Sequence, residues 1–129
     1  MAHRKNISSG AKWEDIVGYS RAVRIKDRII ITGTTAIDNN GNVVGIDNPY
    51  EQTRYIFQKI EKYLKEAGAQ LKHVIRNRIY VVNISKWEDV AKAHAEFFRD
   101  IKPCCTMVEV SALIDSDMLV EIETEAVIE

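Results

Sequence analysis

The sequence is sparing with the residues that define many protein classes. It has two cysteines, two prolines and three histidines in 129 residues, and no repeat, linker or low-complexity segment. The cysteines are neighbours, Cys104 and Cys105, and adjacent cysteines rarely pair because the eight-membered ring strains the backbone. No disulfide framework is therefore expected, and a reduced, cytoplasmic chain is the simplest reading. His3, His73 and His94 are scattered along the chain, so no metal site is expected. Charge of one sign is also missing. Lysine plus arginine number 18 against 19 aspartate plus glutamate, which leaves no field to gather a polyanion, and nucleic acid is not expected as a partner. Apolar runs such as Ile29–Ile31 and Ile79–Val82 fall far short of the roughly 20 residues that cross a bilayer. The polar stretch Met1–Ser9 is not followed by the apolar core of a signal peptide, so neither secretion nor a membrane partner is expected.

What is present describes one soluble domain over residues 1–129, with 46% hydrophobic and 29% charged residues, enough to bury a core. Val23–Lys26 and Ile29–Thr32 read as a hairpin around Asp27-Arg28. Asp38-Asn39-Asn40-Gly41-Asn42 is the strongest turn signal, with a short strand Val43-Val44 after it. Asn48 caps and Pro49 opens a helix to about Ala67, whose stripe of Thr53, Ile56, Phe57, Ile60, Tyr63, Leu64 and Ala67 is apolar, and Gly68 stops it. Val74–Val82 alternates as a strand, with Ile75, Asn77, Ile79 and Val81 on one face. Ser85-Lys86-Trp87-Glu88 reads as a capping box before a second helix with Trp87, Val90, Ala91, His94, Phe97 and Phe98 buried. Pro103 ends that region, and Thr106–Val110 and Leu119–Ile128 read as two closing strands. The order β-β-β-α-β-α-β-β predicts an α+β fold with both helices on one face of the sheet. The apolar residues left on the other face call for a second subunit.

Several segments together resemble the RidA/YjgF/UK114 family, also called endoribonuclease L-PSP. Gly18-Tyr19-Ser20-Arg21-Ala22-Val23 is similar to the family's Gly-Pro-Tyr-Ser-Gln-Ala-Val, and Ile31-Thr32-Gly33-Thr34-Thr35 to its strand ending in Ser-Gly-Gln. Gln52-Thr53-Arg54, Leu64–Ala69, Val74–Tyr80 and Ala95–Phe98 resemble its helices and the strand between them. Pro103–Leu113 followed by Val120-Glu121-Ile122-Glu123 is similar to its closing signature, Pro-Ala-Arg-Ser…Val-Glu-Val…Leu…Ile-Glu-Ile-Glu. The resemblance implies a chorismate-mutase-like fold, a homotrimer with ligand clefts between subunits, and a small imine or enamine metabolite as partner, hydrolysed without a cofactor. By the same resemblance Glu121 is the catalytic candidate, and Tyr19, Gly33, Thr34 and Cys105 are the substrate-binding candidates.

The chain departs from the signature at Cys105, where the family's arginine clamps a substrate carboxylate through two charge-assisted hydrogen bonds. A thiol supplies neither the charge nor the fork of donors. Carboxylate binding by the family's mode is expected to be lost or to use another residue. Val17 and Ala91 depart at positions of a family proline and asparagine. Each candidate also has an ordinary structural reading: Glu121 as a cross-strand partner, Tyr19 as an interface aromatic, Cys105 as a small inert hydrophobe. Three functions follow: a deaminase-like hydrolase of altered substrate, a binding module without turnover, and, with least support, a ribonuclease.

Overall fold

The computed structural model describes residues 3–129. Six strands, β1 (Arg4–Ile7), β2 (Ala22–Ile25), β3 (Arg28–Thr35), β4 (Val74–Val81), β5 (Cys104–Glu109) and β6 (Val120–Val127), form one sheet in the order β1-β2-β3-β6-β4-β5. Every neighbouring pair is antiparallel except β4 and β5. These two are parallel because α3 (Trp87–Phe98) carries the chain across the sheet between them. The long helix α2 (Pro49–Glu66) lies over β3 and β6 and packs against α3.

Alternation decides which face is covered. Ile29 and Ile31 of β3, Asn77, Ile79 and Val81 of β4, and Val120, Ile122, Thr124 and Ala126 of β6 are buried beneath the helices. They meet Ile56, Phe57, Ile60 and Leu64 of α2 and Val90 and Phe98 of α3. Neither α2 nor α3 covers the opposite face. It displays Ile25 (46% exposed), Ile30 (48%) and Val108 (43%) among charged residues.

The helix signals operate as their chemistry predicts at α2. Asn48 accepts the Glu51 N–H at 3.0 Å, Pro49 sits in the first turn, and Gly68 takes φ +88° while Ala69 N–H reaches Leu64 O at 2.8 Å. The Asp38–Asn42 turn closes on the Asp38 carboxylate, which accepts the N–H groups of Asn40 and Asn42.

Other expectations are corrected. Arg4–Ile7 form a strand, β1, and a third helix, α1 (Lys12–Val17), follows it. β1 is a charged edge strand with only Ile7 buried, and α1 is six residues long with Glu14 as its buried residue, so neither carries an apolar period. The hairpin turns at Lys26-Asp27, one residue early, with Lys26 at φ +53°. Val43 forms only an isolated bridge to Ile37. An irregularity between Val74 and Arg76 turns Ile75 outward and places Val74 in the core. The Ser85–Glu88 capping box is absent; Asn83 accepts from Ser85 N–H and Ser85 Oγ instead, in a 3₁₀ turn (Ile84–Lys86) that precedes α3 and leaves Trp87 half-exposed. No helix among the described residues is long and apolar enough to cross a membrane.

Candidate functional site

The site begins with a β-bulge. Ile31 pairs with Thr124 and Thr34 with Ile122, so Thr32 and Gly33 of β3 together face the single residue Glu123 of β6. The extra residue keeps Thr34 on the buried face and points the Cα of Gly33 toward Glu121. A Cβ there would lie 2.5 Å from Glu121 Oε2 and 3.0 Å from its Cδ, so only glycine admits the carboxylate where it lies.

Three glutamates of β6 share the helix-free face, and their surroundings differ. Glu125 accepts from Arg28 at 2.8 Å and from Arg76 at 3.1 Å. Glu123 accepts the Tyr80 hydroxyl. Glu121 has no hydrogen-bond or ion-pair partner among the described residues, although it is half-buried. Burial pushes its carboxyl above the usual range, the neighbouring Glu123 adds to this, and Arg21 opposes it. Such a group can take and return a proton nearer neutrality than a solvated carboxylate can.

Tyr19 and Arg21 lie on the segment between α1 and β2, and Arg21 is near enough to Glu121 to draw its pKa down. The N–H groups of Gly18 and Tyr19 both donate to Glu14 O at 2.9 Å, with Gly18 in the left-handed conformation that ends α1. The Tyr19 ring has the Arg21 guanidinium 5.8 Å from its centroid. Arg21 is 8% exposed and donates from Nη1 to Gly33 O at 2.8 Å and Thr34 Oγ1 at 3.2 Å. Its Nε lies 3.7 Å from Glu14 Oε2. Burial pushes the Glu14 carboxyl up, but hydrogen bonds from Ser9 and Ser8 outweigh it and hold the group below its usual value. The fold thus sets Gly33 against Glu121 and ties the Tyr19 segment to the bulge through Arg21, whereas Thr34, expected to bind substrate, is buried on the helix side of β3 and is not open to a ligand on the Glu121 face. Sequence reasoning passed over Arg21. The signal available was a lone arginine directly before the buried Ala22.

Cys105 stands apart. In the parallel pair β4–β5 it is in register with Asn77, whereas Cys104, Thr106 and Val108 accompany Arg76, Arg78 and Tyr80. Residues in register share a face, so Cys105 lies on the helix side and Glu121 on the other, with β4 between their strands. Both cysteines are exposed free thiols. Packing around Cys105 nonetheless pushes its pKa up, with no cation to offset it, the opposite of an activated nucleophile. Beside it, Asn77 accepts the Thr124 hydroxyl at 2.7 Å and donates to His94 Nε2 at 3.1 Å, and His94 packs against Phe57 and Phe98. Burial lowers the His94 pKa, so the ring is a neutral packed acceptor. No cluster of three potential metal ligands occurs among the described residues. A cavity of about 140 Å³, lined by Val81, Lys86, Val90, Leu119 and Val120, lies between the N-terminal ends of α2 and α3, on the helix side of the sheet.

The family model of endoribonuclease L-PSP matches residues 10–128. The chain belongs to that family. Among the L-PSP proteins of known structure, it superposes on Rv2704 of Mycobacterium tuberculosis, a member of the YjgF/YER057c/UK114 family, with a TM-score of 0.88 and 45% identity, covering 97% of this chain and 99% of the other. YyfA of Yersinia pestis, of the conserved Rid family, gives 0.84 and 28%, covering 97% and 99%. A RutC family protein of Pyrococcus abyssi is 31% identical over 84% of each chain. The six-stranded mixed sheet with its helices on one face is thus the L-PSP fold.

Proposed function

We propose that this L-PSP protein is a small-metabolite hydrolase of the imine and enamine deaminase kind, acting in clefts between the subunits of a homotrimer. The observation that carries the reading is the solitary Glu121: of three carboxylates on one strand face, it alone lacks a partner among the described residues, and a glycine makes room for it.

A protonated imine is already electrophilic and needs chiefly an oriented water and a proton-transfer group. Glu121, as the carboxylate, takes a proton from water as its oxygen bonds to the imine carbon and the C=N π pair moves onto nitrogen. The protonated Glu121 then returns that proton to the amine nitrogen. The C–N bond breaks as the hydroxyl oxygen forms a carbonyl and gives its proton to the Glu121 carboxylate, which passes it to the departing ammonia, leaving a ketone or keto acid and ammonium. Tyr19 closes over the substrate, and Gly33 leaves room for the carboxylate. No cofactor is required.

Cys105 cannot reach this carboxylate within one chain, because it lies two strands away on the other face. A second copy, presenting its own β5 edge, supplies the remaining wall, and the exposed Ile25, Ile30 and Val108 give the copies an apolar face to bury. That wall carries a thiol and Ala91 in place of a carboxylate clamp, so the cleft favours ligands held by shape and hydrogen bonding over 2-imino acids held by charge. The same wall favours a second reading, a trimeric binding module without turnover. Ribonuclease activity is disfavoured by the absence of a positive field.

A screen of imines and enamines with the natural protein and Glu121→Gln separates the two readings. Turnover that vanishes in the variant supports the hydrolase. Saturable ligand binding without turnover in either protein supports the module.

A further inference from the structure

Arg21 touches the bulge at every point. Its carbonyl accepts the Thr32 N–H at 3.0 Å, and its guanidinium donates to Gly33 O and Thr34 Oγ1. The Thr34 hydroxyl in turn donates to Thr32 O at 2.8 Å, which closes a ring of hydrogen bonds around the two residues of the bulge. On its other side the guanidinium faces the Glu14 carboxylate, which is fixed by Ser8 Oγ at 2.9 Å, Ser9 N–H and Ser9 Oγ. The carbonyl of that same Glu14 holds the Tyr19 N–H. The buried Glu14–Arg21 pair therefore joins the loop that carries Tyr19 to the bulge that carries Gly33.

Arg21 cannot serve as a replacement for the clamp missing at Cys105. It is buried, and its donors are directed at protein acceptors. A second cation behind the strand continues the same pattern: Lys59 of α2 donates to Thr35 O at 2.8 Å and Ile37 O at 2.9 Å. Backbone carbonyls along the end of β3 are thus gathered from behind, which leaves the front of the strand clear for Glu121.

We propose that Arg21 is a positioning residue for the Glu121 site, fixing the Thr32-Gly33 bulge and the Tyr19 loop in one arrangement, and that Glu14 acts through it. The inference rests on the reading of Glu121 as the proton-transfer group. The charged and titratable groups around Glu121 are Glu123 on its own strand, Tyr80 in register on β4, and Arg21 from the segment before β2. Of these, only Arg21 draws its pKa downward.

The test is an NMR titration of ¹³C-labelled glutamate side chains, with hydrolysis of an imine or enamine substrate followed in parallel. The proteins compared are the natural one, Arg21→Gln, Arg21→Lys and Glu14→Gln, each checked for folding by circular dichroism. In Arg21→Gln the Glu121 titration moves to higher pH and kcat falls by about tenfold or more, with a smaller change in KM. Arg21→Lys restores the titration but only part of kcat, because a lysine ammonium does not reproduce the guanidinium fork. Glu14→Gln lowers kcat less than Arg21→Gln does. A Glu121 titration unmoved in a folded Arg21→Gln protein overturns the proposal, and so does full kcat in that variant. If the natural protein turns over no imine, the hydrolase reading fails, while the titration still decides what Arg21 does to Glu121. Should Arg21→Gln not fold, Arg21→Lys and Glu14→Gln decide through kcat: natural values in both overturn the proposal.

Discussion

Gly33 and Glu121 occupy one another's space: the carboxylate of Glu121 fills the position where a side chain at residue 33 would begin, 2.5 Å from its Cβ. Neither residue carries the same meaning alone. The glycine has no left-handed φ to justify it, so its reason is the carboxylate, and the carboxylate stays unpartnered because the glycine gives it room.

The substitution Gly33→Ala tests that relationship. The clash falls on the far end of a flexible side chain, so stability should change by no more than about 1 kcal/mol. The carboxylate must shift, and misplacement of a reacting group on this scale costs up to roughly 100-fold in rate. Thermal unfolding alongside the imine assay checks both halves. Natural turnover in Gly33→Ala would show that the carboxylate's place is immaterial.

Assembly follows from the helix-free sheet face, where Ile25, Ile30 and Val108 remain about half exposed in the single chain. Sedimentation should give three times the 14.7 kDa chain mass. Ile30→Glu would set a charge at the centre of that face, opposite Glu125, and should shift the equilibrium toward monomer and abolish any cleft activity. A stable monomer of the natural protein at micromolar concentration would contradict the cleft.

Lys59 provides a pH signature of the support behind β3. Burial, aided by Arg21 and Lys62 and opposed by Asp38, lowers its amine to about 8, below its ordinary value of about 10.4 in the unfolded chain. Between these values the unfolded chain binds more protons, so the contribution of this group to stability rises with pH across the window, by at most about 3 kcal/mol. The unfolding free energy of the natural protein relative to Lys59→Met should therefore grow from pH 7.5 to about pH 10 at fixed protein concentration. A difference independent of pH would mean that the amine is not desolvated.

Elements with a strong period or a capping signal were legible in the sequence: the α2 stripe between Asn48 and Gly68, the alternation of β4 and the closing β6. The missed elements, β1 and α1, are short and charged, and tertiary contacts hold them in place. Lys5 reaches Glu66 O, and Glu14 is buried by Ser8, Ser9 and Arg21. At the site, motif resemblance pointed to Tyr19, Gly33, Thr34 and Glu121, of which Gly33 and Glu121 meet and Thr34 is buried on the opposite face of the sheet. Two features could not be seen along the chain. One is the bulge, which depends on the register between β3 and β6. The other is the face of Cys105, which depends on its parallel pairing with β4.

Hydrolysis of 2-iminopropionate by the natural protein, by Cys105→Arg and by Cys105→Arg combined with Glu121→Gln tests the central claim most directly. A restored bidentate clamp is worth about 1.5–3 kcal/mol, or roughly 10- to 150-fold. The account predicts weak hydrolysis by the natural protein, a rise of that size in Cys105→Arg, and its loss when Glu121 is also replaced. Fast hydrolysis by the natural protein would show that another group holds the carboxylate, and equal rates for Cys105→Arg with and without Glu121 would remove that carboxylate from the chemistry.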